Sequence, residues 1–242
     1  MSLHMLQLAP DLSGIMRWAA QNKLLHRLKN DDLGYAVHAL LAAGFGAQAP
    51  KPWAMPPSPN QPAKLLGYTA HDEAALRDHL SSFADPTVCK LLGLTGLATK
   101  PMATSFATGR RLGFWVRARP TIRTDKAGER SATRERDAFL AAIEAAPAGQ
   151  PVDRGEVYQT WLAMRFAAGG AVAEQMRIES YGRTLTLRRD RLRKLHAIEG
   201  PDVTFAGTLL VADSAAFAAL LARGVGRHTT FGYGMLLLKP VS

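Results

Sequence analysis

The tail of this chain constrains its fold most tightly. An apolar run at 214–222 gives way to Gly224, Gly226, Gly232 and Gly234, interleaved with Val225, Arg227, His228, Phe231 and Tyr233, before a second apolar run at 235–238. The pattern predicts a helix, a glycine-rich loop and a closing strand. Glycine admits positive φ and the close approach of another backbone or a ligand. Successive free N–H groups in such a loop make an anion-binding concavity, and the guanidinium fork of Arg227 matches phosphate. The loop is not a P-loop: no Gly-Lys-Ser/Thr follows at the required spacing, and the closing strand leaves no room for a following helix.

The rest of the chain alternates strand-like and helix-like segments. A strand is predicted near 3–8, with helix-capping residues at 10–13 and a helix through Ile15, Trp18 and Ala19. Asn30, Asp31 and Asp32 open a helix over 33–44, in which Tyr35, His38, Leu41 and Ala42 recur at helical spacing. The proline-rich stretch 47–62 reads as loop or extended chain. Next come a short strand at 65–68, a helix at 72–83 and a strand at 112–120 that Pro120 ends. A charged loop at 124–136 leads into a helix to about Glu144, and a further helix spans 153–167. The last third reads as two strands of a long hairpin, 175–187 and 192–199, then a strand at 203–211. Both ends show mixed helix and strand in βαβ-like order. The expected class is α+β, two tandem ferredoxin-like (RRM-type) domains with a helical insertion near 125–170. The first domain is expected over 1–120 and the second over 121–242.

Charge narrows the partner. The 242 residues carry 30 Lys+Arg against 20 Asp+Glu, a formal net charge of +10. That excess favours a polyanion, nucleic acid or an anionic membrane. No run approaches a transmembrane span, and 1–5 lack the features of a signal peptide, which weakens the membrane reading. The single cysteine, Cys89, excludes an internal disulfide framework and fits a reducing, cytoplasmic setting. It lies in an apolar run and reads as a small core residue.

Three groups of residues bear on chemistry. The densest is 183–196, where Arg183, Arg188, Arg189, Arg191, Arg193 and Lys194 alternate with leucines that can pack beneath them. A basic β-ribbon reaches nucleic-acid grooves. A charged sheet edge that discourages aggregation is the plainer alternative, but six cations exceed what that purpose needs. Arg117 and Arg119 share a parity on the 112–120 strand, with Arg123 just beyond, so one strand face is expected to be cationic. Tyr35 and His38 lie three apart on one helical face, where a His–Tyr pair can act as base and acid without a metal or simply pack. The other histidines are dispersed, and neither zincin spacing nor a thiolate zinc site is present. No cofactor or metal is expected.

The Tyr35-x-x-His38-x-x-Leu41 helix, the strand 112–120 and the glycine-rich 223–238, in that order, resemble the CasE (Cse3-type) CRISPR RNA-processing endoribonucleases over most of the chain. The resemblance implies two facing ferredoxin-like domains. It implies binding of the stem-loop of a CRISPR repeat and one metal-independent cut at the 3′ base of the stem. The upstream 2′-OH attacks, leaving a 2′,3′-cyclic phosphate and a 5′-OH end. It further implies retention of the product with other CRISPR effector-complex subunits. On this reading His38 is general base or acid and Tyr35 its partner. His26, followed by Arg27, precedes the helix and competes for the catalytic role. Arg27, Arg117, Arg119, Arg123, the 183–194 cations, Arg227 and His228 contact RNA, and Gly224, Gly226, Gly232 and Gly234 support the RNA backbone or a domain interface. The subtype, type I-E or a type IV variant in which arginines dominate cleavage, stays open. So does an RRM-like module that holds structured RNA without cutting it, which needs the arginines but not His38.

Overall fold

The computed structural model describes residues 2–24, 33–124, 134–189 and 195–241. The first unit runs β1 (His4–Leu8), α1 (Leu12–Gln21), α2 (Gly34–Phe45), β2 (Trp53–Ala54), β3 (Leu65–Thr69), α3 (Glu73–Phe83), α4 (Pro86–Leu92) and β4 (Ala98–Pro101). Its antiparallel sheet has the order β2-β3-β1-β4. Strand alternation sends Leu6 and Leu8 of β1 into a core shared with Ile15, Val37, Leu40, Leu41 and Phe45 from the helices. Each such fully buried apolar side chain contributes about 1.5–3 kcal/mol. Aspartates start three of the four helices: Asp11, Asp72 and Asp85 accept from the N–H of Gly14, Ala75 and Thr87, while α2 starts at Leu33 with no side-chain cap. Pro86 occupies the first turn of α4, where its missing N–H costs nothing.

The second unit repeats the plan at larger scale. It comprises β5 (Arg111–Ala118), β6 (Thr121–Thr124), β7 (Arg134–Asp137), α5 (Ala138–Ala145), α6 (Arg154–Ala167), β8 (Ala171–Arg189), β9 (Leu195–Val211), α7 (Ser214–Arg223) and β10 (Leu237–Pro240). The main sheet runs β10-β5-β9-β8, while β6 and β7 form a separate hairpin. Leu112, Phe114, Val116 and Ala118 of β5 point into a core with Leu162 and Phe166 of α6 and Phe217 and Leu221 of α7. Both units are therefore βαββαβ sandwiches with the ferredoxin-like strand order, and the second carries β6, β7 and α5 as its insertion.

The units meet through the face of the first sheet that its helices do not cover. Ala54 and Tyr68 belong to the second unit's core, with Leu3, Met5 and Leu66 packed against it. The Tyr68 hydroxyl donates to the Leu236 carbonyl at 2.8 Å, and burial holds that phenol well above the ordinary tyrosine range. Because β5 pairs with both β9 and β10, we place the division between the units within 102–110 rather than at 120.

Several elements depart from the sequence reading. The strands expected at 192–199 and 203–211 are one strand, β9, continuous through Gly200 and Pro201. Beyond Val203 the pairing with β5 stops, so a proline nitrogen without its proton interrupts no ladder on that side. The expected charged loop at 124–136 joins the arms of the β6–β7 hairpin, and its last residues belong to β7. Helix α4 and strand β4 were not anticipated, although Asp85-Pro86 and Gly93 bracket α4 with ordinary start and stop signals. Among the described residues no helix is long and apolar enough to cross a membrane.

Candidate active site and RNA interface

Helix α2 carries Tyr35 and His38 to the junction of the units. Tyr35 is buried and His38 half-buried, with ring centroids 6.3 Å apart. What covers them is the glycine-rich tail. Phe231, in a short 3₁₀ turn, stacks on Tyr35 at 6.2 Å and meets His38 edge-on at 5.0 Å. Burial pushes the His38 imidazole below its ordinary pKa, because desolvation disfavours the cationic form. His38 is thus held as a neutral ring that can accept a proton. Phe231 was not among the expected site residues. Only its place between the loop glycines hinted at it.

The 3₁₀ turn is bracketed by left-handed residues, His228 at φ 61° and Gly232 at φ 87°. A Cβ on Gly232 would lie 2.9 Å from the Trp53 ring, so glycine is required twice over at that position. Trp53 donates its indole N–H to the Thr230 carbonyl at 2.9 Å. The proline-rich segment of the first unit thereby clamps the loop of the second.

Glu135 on β7 anchors the other side of the loop. Its carboxylate meets His228 Nε2 at 2.6 Å and pairs with Arg227. Burial alone would raise this carboxyl. The hydrogen bond and charge of His228, with the charges of Arg227 and Arg119, outweigh it and hold the group below the usual carboxylate range. Arg227 and His228, expected as RNA contacts, are therefore engaged within the protein, His228 almost completely buried and Arg227 partly exposed.

The expected cations divide by their partners. Arg119 is 1% exposed and lies under the β8–β9 hairpin. It donates to the Thr186 hydroxyl and to the Thr184 and Ile198 carbonyls, and it fills the space where Gly200 lacks a side chain. It is a buried structural arginine, not a surface contact, because β5 ends at Ala118 while β8 and β9 run on, and its side chain is held by that extension. Arg117 makes a bidentate pair with Asp202 at 2.8 and 2.5 Å and lies 4.4 Å from the centre of the Tyr233 ring. Arg183 pairs with Glu199 at 2.8 Å and Asp137 at 3.3 Å. Arg123 is exposed. Arg188 and Arg189 end β8, where the description reaches the backbone alone; His26, Arg27, Arg191, Arg193 and Lys194 lie outside the described residues. The loop glycines Gly224, Gly226, Gly232 and Gly234 all take positive φ.

Among the described residues no three His, Cys, Asp or Glu side chains converge to hold a metal ion. Cys89 is partly buried, and burial together with the charge of Asp85 pushes its thiol up, away from thiolate chemistry. What the junction offers is a neutral imidazole, a phenol, and cationic surface on the second unit.

Known proteins share this fold. Similar structures include the CRISPR endoribonuclease Cse3 bound to 19 nt RNA, at 18% identity and TM-score 0.63, covering 99% of this chain and 100% of the other. Thermus thermophilus Cse3 bound to an RNA representing a pre-cleavage complex matches at 18% identity and TM-score 0.62, again over 99% and 100%. The CRISPR-associated protein Cas6e from Escherichia coli str. K-12 matches at 18% and 0.55, over the whole of both chains. At such identity these likenesses establish the fold. No curated protein matches the sequence. The family model described as CRISPR associated protein matches residues 14–240, nearly the whole chain, and this protein belongs to that family.

Proposed function

We propose that this protein is a metal-independent endoribonuclease that processes CRISPR RNA. The reading is carried by one observation: Tyr35 and His38 share a face of α2, covered by Phe231, with His38 kept neutral by burial. The substrate is the repeat stem-loop, cut at the 3′ base of the stem. His38 Nε2 or Nδ1 takes the proton of the upstream 2′-OH, and the 2′-oxygen bonds to the adjacent phosphorus. The 5′-oxygen leaves with a proton from the Tyr35 phenol, giving a 2′,3′-cyclic phosphate and a 5′-OH end. General acid–base groups of this kind supply about 10²–10⁴-fold. Positioning and cationic stabilisation supply the remainder. The RNA-bound Cse3 structures support the choice of substrate. A CRISPR RNA-guided surveillance complex, similar at 20% identity and TM-score 0.58, supports residence of the product-bound protein among effector subunits.

The test is single-turnover cleavage of the cognate repeat in EDTA, with analysis of the product ends. Wild type should cut once and leave a cyclic phosphate; His38→Ala should bind the repeat normally and cut about 10²-fold more slowly or worse. A strict magnesium requirement, or unimpaired cutting by His38→Ala, contradicts the mechanism. Tight binding of repeat RNA that stays intact favours the non-cleaving RNA-binding module.

A further inference from the structure

Among the described residues, many arginines on the second unit are internally neutralised. Arg111 pairs with Glu174, Arg136 with Glu144, Arg177 with Glu179, Arg117 with Asp202 and Arg183 with Glu199 and Asp137. Three are not. Among the described residues, Arg123 of β6, Arg165 in the last turn of α6 and Arg223 at the end of α7 have no carboxylate partner, and all three are exposed. They converge, with Arg227, on one cleft of about 470 Å³ that no acidic residue lines.

The cleft is built for something to lie in it. Its floor is Trp161, almost fully buried, whose indole N–H is already used by the Thr121 carbonyl. Arg165 lies 5.3 Å from the centre of the Trp161 ring, which holds its guanidinium in place. One wall is bare backbone: Gly226, at φ 75°, leaves no room for a Cβ against Trp161. Four guanidiniums from four separate elements recur along it, each a fork that matches phosphate. Among the described residues, three of them have no carboxylate to offset their mutual repulsion, Arg227 alone being paired, with Glu135. A cleft of this volume admits one chain and excludes a helix.

Its position adds a direction. Arg227 adjoins His228, whose ring is 6.0 Å from Phe231, which in turn meets His38 at 5.0 Å. The two sites border the same glycine loop. We propose that this cleft binds the phosphodiester backbone of a single-stranded RNA segment continuing from the His38 site, with Arg165 and Arg223 as its principal contacts. The direction of the strand rests on the endoribonuclease reading; the affinity for single-stranded RNA does not.

Anisotropy titration of a labelled oligouridylate and of the repeat stem-loop between about 50 and 200 mM salt tests this, using the full chain. The double variant Arg165→Gln/Arg223→Gln should bind oligouridylate more weakly, with a log K against log salt slope shallower by about 1.4, roughly 0.7 per lost single-strand phosphate contact. Arg165→Lys/Arg223→Lys, which keeps the charge, should keep the slope, and both variants should melt as wild type does. An unchanged slope in folded glutamine variant overturns the proposal. So does wild type that binds no oligouridylate at the lowest salt, or a glutamine variant that loses polyglutamate binding but not RNA, which would make the cleft a protein site. Repeat RNA left uncut by wild type, with the slope still lost in the variant, overturns the nuclease reading and leaves the cleft standing. Normal cutting with an unchanged slope does the reverse.

Discussion

His38 owes its neutrality to the rings around it, and Phe231 is the one that a substitution can remove without touching α2. Phe231→Ala should let water reach the imidazole and raise the His38 pKa toward the ordinary value of about 6.5. Phe231→Leu should largely preserve it. Titration of the His38 ring protons by NMR reads this directly, and the acid limb of the cleavage profile should move up in pH by the same amount. The sign extends to stability. A histidine whose native pKa is lowered keeps its full contribution above the unfolded value and loses it as pH falls from there through the native one. Wild type should therefore weaken below about pH 6.5 more than Phe231→Ala does, measured by urea midpoints across that range. Tyr35 and His38 were legible as a pair from their spacing alone. The ring that covers them was not, because helical periodicity says nothing about which distant loop lands on a face.

The β6–β7 hairpin and the glycine loop hold each other through one carboxylate. Glu135 faces His228, Arg227 and Arg119 from a site that is 11% exposed at the side chain. Glu135→Ala leaves those cations without their counter-charge and should destabilise the fold by about 3–5 kcal/mol, the usual result of breaking a buried pair from one side. Glu135→Gln should cost less. Since the native carboxyl titrates below its ordinary range, its contribution is present above the usual glutamate pKa and fades as pH falls through the native value. The difference between wild type and Glu135→Gln in chemical denaturation should shrink accordingly on acidification. Gly232→Ala tests the loop itself: positive φ and the Trp53 ring both oppose a methyl group there, so a loss above about 1 kcal/mol is expected. The sequence marked the glycines and the two cations beside them. It read the cations as open to RNA, since their carboxylate lies on a hairpin hidden within a stretch read as charged loop.

The whole molecule depends on the contact between its units. Tyr68→Phe removes the hydroxyl that meets the Leu236 carbonyl and should lower stability by about 1 kcal/mol, seen as a reduced denaturant midpoint at unchanged slope. Helix starts at Asp11, Asp72 and Asp85, the alternation of β1 and β5, and the glycine tail are short-range statements, decided by capping and by the period of burial along the chain. They suffice for the mixed α+β class and for a helix bearing Tyr35 and His38, but not for β4, the strand that completes the first unit. Folding alone settled which charges remain available. Arg117, Arg119 and Arg183 are as cationic in the sequence as Arg165 and Arg223, yet the first three are spent on Asp202, the hairpin carbonyls and Glu199. Trp53 and Thr230 meet across 177 residues, and Glu135 and His228 across 93. Contacts over such separations leave no local pattern, because they are selected by the packing of one sheet against another and not by the periodicity of either segment.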